Sequence, residues 1–207
     1  LVAQGTYKPT SGTDRAVAVG LKNNVRIYGG FNGTETARSQ RDIAAYPTVL
    51  SGDLLGNDTA TIAPDEPTRS DNSYHVITDT VGSGLLDGVT VTGGNANGND
   101  EPVNQGGGMY SYSGSSTLRN VTFKHNTASN AGGGIAASYS TLRLVNTTFI
   151  GNVSKWGGGM WTYSSAPSLN QVIFSSNSAT YRGGGLCNVF SRVTLVNTTL
   201  TTNTATP

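Results

Sequence analysis

The sequence predicts an all-β fold, a parallel β-helix or solenoid, on three observations. Glycine triplets recur at Gly106–Gly108, Gly132–Gly134, Gly157–Gly159 and Gly183–Gly185, in steps of 26, 25 and 26 residues. A second motif keeps the same beat: Phe123-x-x-Asn126, Phe149-x-x-Asn152, Phe174-x-x-Asn177 and Leu200-x-x-Asn203, always 17 residues after the first glycine. Two markers locked in phase mean one supersecondary unit stacked on copies of itself. Finally, the units lack the i, i+3, i+4, i+7 apolar spacing of a helix and are rich in Thr, Ser, Val, Asn and Gly, which disfavour long helices.

Within a unit, short alternating runs give the strands. Val121 and Phe123 fall on one face and Thr122 on the other, because side chains alternate along a strand. Leu118, Leu144, Leu169 and Leu195 hold an equivalent place, as do Val121, Thr147, Val172 and Thr198. One large apolar residue follows each triplet (Met109, Ile135, Met160, Leu186). Pointed inward, these make four vertical rows of side chains. A unit of this length is too short for a propeller blade of ~40–45 residues, and the leucine-rich pattern is absent. Stacked coils turned by Gly and Asn fit instead. The row Asn126, Asn152, Asn177, Asn203 is positioned to form a hydrogen-bonded ladder along the stack. Length varies only between that Asn and the next triplet, marking an exposed turn.

Upstream the repeat fades. Strands are expected at Val2–Ala3, Val25–Tyr28, Thr48–Ser51, His75–Thr78 and Val89–Val91, with a first imperfect coil around Leu86–Asn95. Polar insertions span Gly33–Pro47 and Gly52–Asn72, and Glu35–Ala45 reads as a short helix or an ordered loop. Such insertions suit a cap over open strand edges. The expected organisation is irregular coils and capping insertions over 1–84, then regular coils over 85–207. No linker separates them, so they form one continuous domain of roughly 8–9 coils.

Charge is sparse and uneven. All twelve acids lie in 1–101 beside seven Lys or Arg, a sum of −5; residues 102–207 carry six Lys or Arg and no acid, a sum of +6. Opposite ends of a rod favour head-to-tail contact with another copy, although compositional drift of β-solenoid coils gives the same numbers. The basic residues are too scattered for nucleic acid. One cysteine, Cys187, reads as a free thiol. No membrane-spanning run occurs in this chain. Six N-x-Ser/Thr sequons (Asn32, Asn57, Asn120, Asn146, Asn152, Asn197) follow largely from the Asn and Thr rows. A chain that starts at Leu1 and stops just after the Asn203 turn reads as an excerpt of a longer protein.

The Gly-Gly-Gly-Φ (Φ, an apolar residue) and Phe-x-x-Asn motifs resemble the repeats of polymorphic outer membrane proteins (Pmp-like) and of large right-handed β-helix surface proteins of environmental bacteria. The third glycine, where the chlamydial motif has Ala, points towards the environmental relatives. The N-terminal runs Gly5-Thr6-Tyr7-Lys8-Pro9, Tyr28-Gly29-Gly30-Phe31, Gln40-Arg41-Asp42 and Leu50-Ser51-Gly52-Asp53 are similar to the leading section of such proteins. The resemblance implies a right-handed, extracellular or cell-surface, non-catalytic module with a structural or adhesive role. Its partners would be further copies or other surface proteins.

The alternative is a polysaccharide-binding or polysaccharide-degrading β-helix. Glycoside hydrolysis usually needs paired carboxylates, and the regular coils contain none. His75 and His125 each stand alone, His125 at a turn and solvated; no catalytic residue is assigned. The acids between Asp53 and Asp71 have no EF-hand or RTX spacing, so a solvated loop is favoured over calcium and no metal is expected. Arg41 and Asp53 are expected to pair. The surface feature of interest is aromatic. Residues one and three after the inward row read Tyr110, Ala136, Trp161, Cys187 and Tyr112, Ser138, Tyr163, Val189. Tyr110, Tyr112, Trp161 and Tyr163 would wall an Ala/Ser floor, a slot for a sugar ring or a neighbouring chain. The competing reading is aromatics that simply cover and stabilise the sheet.

Overall fold

The computed structural model describes residues 1–80 and 82–206. Pro207, the last residue of the expected regular section, lies outside the described residues. The chain is all-β and solenoid-like, and among the described residues helical turns occur only at Arg38–Gln40 and Pro67–Arg69. Its strands form three sheets of eleven, six and five strands, and the strand pairings are parallel. Such pairing needs a crossover between partners, and here the rest of each repeat supplies it.

The repeat positions stack in register. Met109, Ile135, Met160 and Leu186 pair in one column. Leu118, Leu144, Leu169 and Leu195 pair in a second. Phe123, Phe149, Phe174 and Leu200 pair in a third, whose rings stack at 5.2 and 4.6 Å with planes within 10°. These columns fill one continuous core. Burying each such Phe stabilises the fold by about 1.5–3 kcal/mol.

Corners recur with equal discipline. Left-handed backbone occurs at Gly106, Ser113, Asn120 and His125, then Gly132, Tyr139, Asn146 and Gly151, then Gly157, Ser164, Gln171 and Ser176, and last Gly183, Phe190, Asn197 and Thr202. Within each unit the steps between these corners are 7, 7 and 5 residues. The triplet serves the first corner: Gly132 has φ +64°, and a Cβ on Gly134 would sit 2.4 Å from the Gly159 carbonyl oxygen and 2.9 Å from the Phe149 ring. Alanine at that third position would collide with the next coil.

Two polar ladders run beside the core. The side-chain amide of Asn126 donates to Asn152 Oδ1, that of Asn152 to Asn177 Oδ1, and that of Asn177 to Asn203 Oδ1, at 2.9–3.1 Å. Each amide also donates to a carbonyl in the coil before, as Asn152 Nδ2 does to Phe123 O. The next rung's Oδ1 takes the backbone N–H as well. A serine ladder at the second corner was not legible beforehand: Ser140 N–H donates to Ser165 Oγ and Ser165 N–H to Ser191 Oγ, both at 2.9 Å.

The N-terminal section departs more from expectation. Thr48–Ser51 is a strand as read, but Val2–Ala3 makes only a bridge from Ala3 to Phe31, the strand falling at Gly5–Tyr7. The expected His75–Thr78 strand runs over Ile77–Thr80 because His75 and Val76 face the glycine corner, with Nδ1 of His75 3.0 Å from the Gly106 carbonyl oxygen. Glu35–Ala45 is an ordered loop with one helical turn. The strand column Gly5–Tyr7, Thr48–Ser51, Thr90–Thr92, Thr122–Lys124, Arg143–Ile150, Ser168–Ser175, Thr199–Thr201 is seven deep. The six-stranded sheet is shallower still, so the stacking falls short of roughly 8–9 layers. The polar insertions account for the gap, since they add no strand to the stack.

The expected Arg41–Asp53 ion pair is not formed. Arg41 pairs instead with buried Asp87 at 2.9 Å. Asp53 is consumed locally, accepting the backbone N–H groups of Gly56, Asn57 and Asp58. The insertion is bolted down by Arg69, whose side chain is 1% exposed. It pairs with Asp58 at 2.9 Å and donates to the carbonyls of Gly94 and His125 at 3.1 and 3.0 Å. Among the described residues no helix is long and apolar enough to cross a membrane.

Candidate functional site

The six-stranded sheet carries the aromatic face. Along Met160–Tyr163 the residues alternate, Met160 and Thr162 buried, Trp161 and Tyr163 outward. The parallel register then sets Tyr110, Ala136, Trp161 and Cys187 in one column and Tyr112, Ser138, Tyr163 and Val189 in the next. The outer face is therefore built by strand alternation alone.

The open Ala/Ser floor is not what the structure shows. Ala136 is fully buried. Over the Ser138 side, Tyr139 stands between Tyr112 and Tyr163, edge-on to both at 5.5 and 5.7 Å. Phe190 continues the strip, edge-on to Tyr163 at 5.9 Å. Tyr139 and Phe190 occupy the left-handed corner that Ser113 and Ser164 fill in the other coils. The backbone turns there, which swings the corner side chain back over the sheet. A column count on the strand residues alone misses both rings; their place seven residues after Gly132 and Gly183 was the available signal.

Two grooves flank Trp161. One, of about 340 Å³, is lined by Tyr110, Tyr112, Tyr139, Trp161 and Tyr163 with Ser138 and Glu101. The other, of about 250 Å³, lies between Trp161, Tyr163 and Trp156, again with Glu101 on its rim. Trp161 and Tyr163 present ring planes within 10° of each other at 5.9 Å. Tyr110 is backed by buried His75, whose ring stacks on it at 5.3 Å.

Glu101 was not singled out by the sequence. It sits in a loop closed by Gly98 N–H to Val103 O at 2.9 Å and Gln105 N–H to Pro102 O at 2.9 Å. Gln105 Nε2 donates to its carboxylate. Neither groove is lined by Lys or Arg. Burial first, and then the Glu101 charge, push the Tyr110 hydroxyl up from its ordinary value. Arg182 lies on the far side, 5.7 Å from the Trp156 ring.

The other titratable groups are engaged elsewhere. Asp79 is buried and accepts the Ser116 hydroxyl at 2.9 Å; burial raises its carboxyl. Burial lowers His75. His125 is exposed at its corner. In the Asp53–Asp71 loop, Asp58 faces Arg69 and Asn72, and Asp71 accepts the Leu55 N–H. Among the described residues no three His, Cys, Asp or Glu side chains cluster as a metal site. Cys187 is free and half-buried.

No family model, no curated protein and no solved structure matches this chain.

Proposed function

We propose that the chain is a non-catalytic structural and adhesive module of an extracellular, cell-surface protein. It is a right-handed parallel β-helix of six or seven coils that presents an aromatic face on a rigid rod. The observation that carries this reading is the pair Tyr139 and Phe190 in left-handed corners. Left-handed corners recur in every coil whatever residue fills them, so the turn itself does not set the choice of an aromatic. Serine fills the same corner in the adjacent coils, so folding alone does not call for an aromatic. Tyr139, with a coil on either side, is still 51% exposed, a poor return if sheet coverage were its purpose.

Exposed rings at a fixed pitch suit a flat partner, either a sugar ring or the surface of another copy. The alternative of polysaccharide binding is favoured by one particular, the near-parallel Trp161 and Tyr163 rings beside a carboxylate. Stacking apolar sugar faces on rings and satisfying hydroxyls with Glu101, Ser138 and Tyr hydroxyls needs no cofactor. The catalytic version of that alternative lacks support, since Glu101 is a single carboxylate where glycoside hydrolysis uses two.

The test is direct. The chain and its Trp161→Ala, Tyr163→Ala double variant would be titrated against neutral and charged polysaccharides, with sedimentation velocity for self-association and product analysis for cleavage. Binding or association lost in the double variant is expected, with no product. An unaltered double variant, or appearance of oligosaccharide product, would overturn the reading.

A further inference from the structure

The geometry points to a cationic amino-sugar residue as the ligand of the 340 Å³ groove, its ring against Trp161 and its ammonium between Glu101 and the tyrosine rings. This rests on the glycan-binding form of the proposed function and narrows its ligand class. Three observations carry it. The groove is walled by five rings (Tyr110, Tyr112, Tyr139, Trp161, Tyr163), and aromatic faces attract a desolvated ammonium through their quadrupoles. Glu101 is the last acid in the sequence and the sole carboxylate lining either groove beside Trp161. Both ion pairs among the described residues lie elsewhere, at Arg41–Asp87 and Arg69–Asp58, leaving Glu101 without a cationic partner.

The loop around Glu101 makes the charge a fixed feature. Gln105 orients the carboxylate, and the loop's own hydrogen bonds hold it over the sheet. The negative charge matters more for its setting, because residues 102–207 carry six Lys or Arg and no acid. A cation entering the groove on the Tyr110 side meets rings, Ser138 and a carboxylate, with no Lys or Arg in the lining. Neutral sugars would use the same rings without the charge, and an anionic sugar would be repelled by Glu101.

The experiment uses tryptophan fluorescence of the whole chain, titrated with a glucosamine hexamer, the N-acetylated hexamer and a lysine-rich peptide. The glucosamine hexamer is expected to bind about tenfold more tightly than its neutral counterpart, the scale of one charge-assisted hydrogen bond. That preference should shrink with added salt. Glu101→Gln should abolish the preference, bringing the charged and neutral hexamers to equal affinity; Trp161→Ala should weaken both. The Gln variant lies on an exposed loop, and an unchanged near-ultraviolet circular dichroism spectrum would show that it folds. Equal affinity for charged and neutral hexamers, or a Gln variant that keeps the preference, overturns the ammonium assignment and leaves glycan binding standing. Peptide binding as tight as the charged hexamer assigns the groove to a protein lysine and overturns the sugar. Absence of binding to any saccharide removes the glycan reading with it.

Discussion

Residues 106–206 and residues 1–100 share the same sheets but hold together by different means. In the first region the core contacts come in series: Phe on Phe, Asn on Asn, glycine corner on glycine corner. In the second, single contacts secure whole insertions, with Arg69 fixing 52–72 and Arg41 reaching Asp87. Repetition spreads stability over nearest neighbours, and its rows need no charge. A one-off insertion has no neighbour to copy, so it is fixed by a few long, polar, buried side chains. The charge asymmetry noted in the sequence therefore coincides with two modes of cohesion.

The strongest way to break this comparison is to remove the bolt. Arg69→Ala leaves Asp58 without its ion-pair partner and the His125 carbonyl unpaired, and should cost about 3–5 kcal/mol. Urea unfolding would measure it, and limited proteolysis should cut first within 52–72. A loss below about 1 kcal/mol would mean that the insertion is held some other way.

Next in size is a rung of the ladder. Asn152→Ala strips a partner from Asn126 N–H, Phe123 O and Asn177, and should cost about 2–3 kcal/mol. Asn203→Ala, in the last rung and only partly buried, should cost about 1 kcal/mol. Equal losses at both positions would show that ladder rungs do not depend on having a coil on each side.

pH sharpens the contrast further. Burial lowers His75 in the folded state, so its contribution is complete above the ordinary histidine value near 6.5. That contribution is lost as pH falls through the depressed folded value. Asp79 runs oppositely: its carboxyl is raised, so its contribution is complete below the ordinary carboxylate range and is lost as pH rises through the folded value. Against the opposing Asp79 contribution, His75 lowers the melting temperature between pH 7 and 5, so the change in melting temperature over that interval should be more positive, with falling pH, in His75→Gln than in the unaltered chain. A slope unchanged in the variant would place the acid sensitivity elsewhere.

The smallest effect concerns the corners. Phe190→Gly relieves a left-handed side chain worth roughly 1–2 kcal/mol and gives up one edge contact worth about 1 kcal/mol. The melting midpoint should hold or rise slightly while binding through the aromatic face weakens. A clear loss of stability would instead make the corner aromatics structural.

Much of the fold was legible because a repeat reports its own geometry. The constant 17-residue offset from glycine to Phe put Met109, Leu118 and Phe123 in columns before any coordinate was known. The Phe-x-x-Asn phase placed the asparagines on the turn where they bond. What remained illegible was unique rather than repeated. Nothing local to Arg41 distinguishes Asp53, which closes its own loop, from Asp87, which Arg41 meets. Tyr139 and Phe190 lay outside the alternating strand pattern because the left-handed corner resets side-chain direction. Glu101, on a loop 30 or more residues from the corner that it overhangs, has no sequence neighbour to announce it.

The sequence alone determined which residues stack, since a fixed period forces equivalent side chains into register and one face into the core. Tertiary structure decided which charges meet and where the aromatic strip closes. Those outcomes depend on how corners and insertions bend the chain in space, and distances across a stack are not encoded in spacing along it.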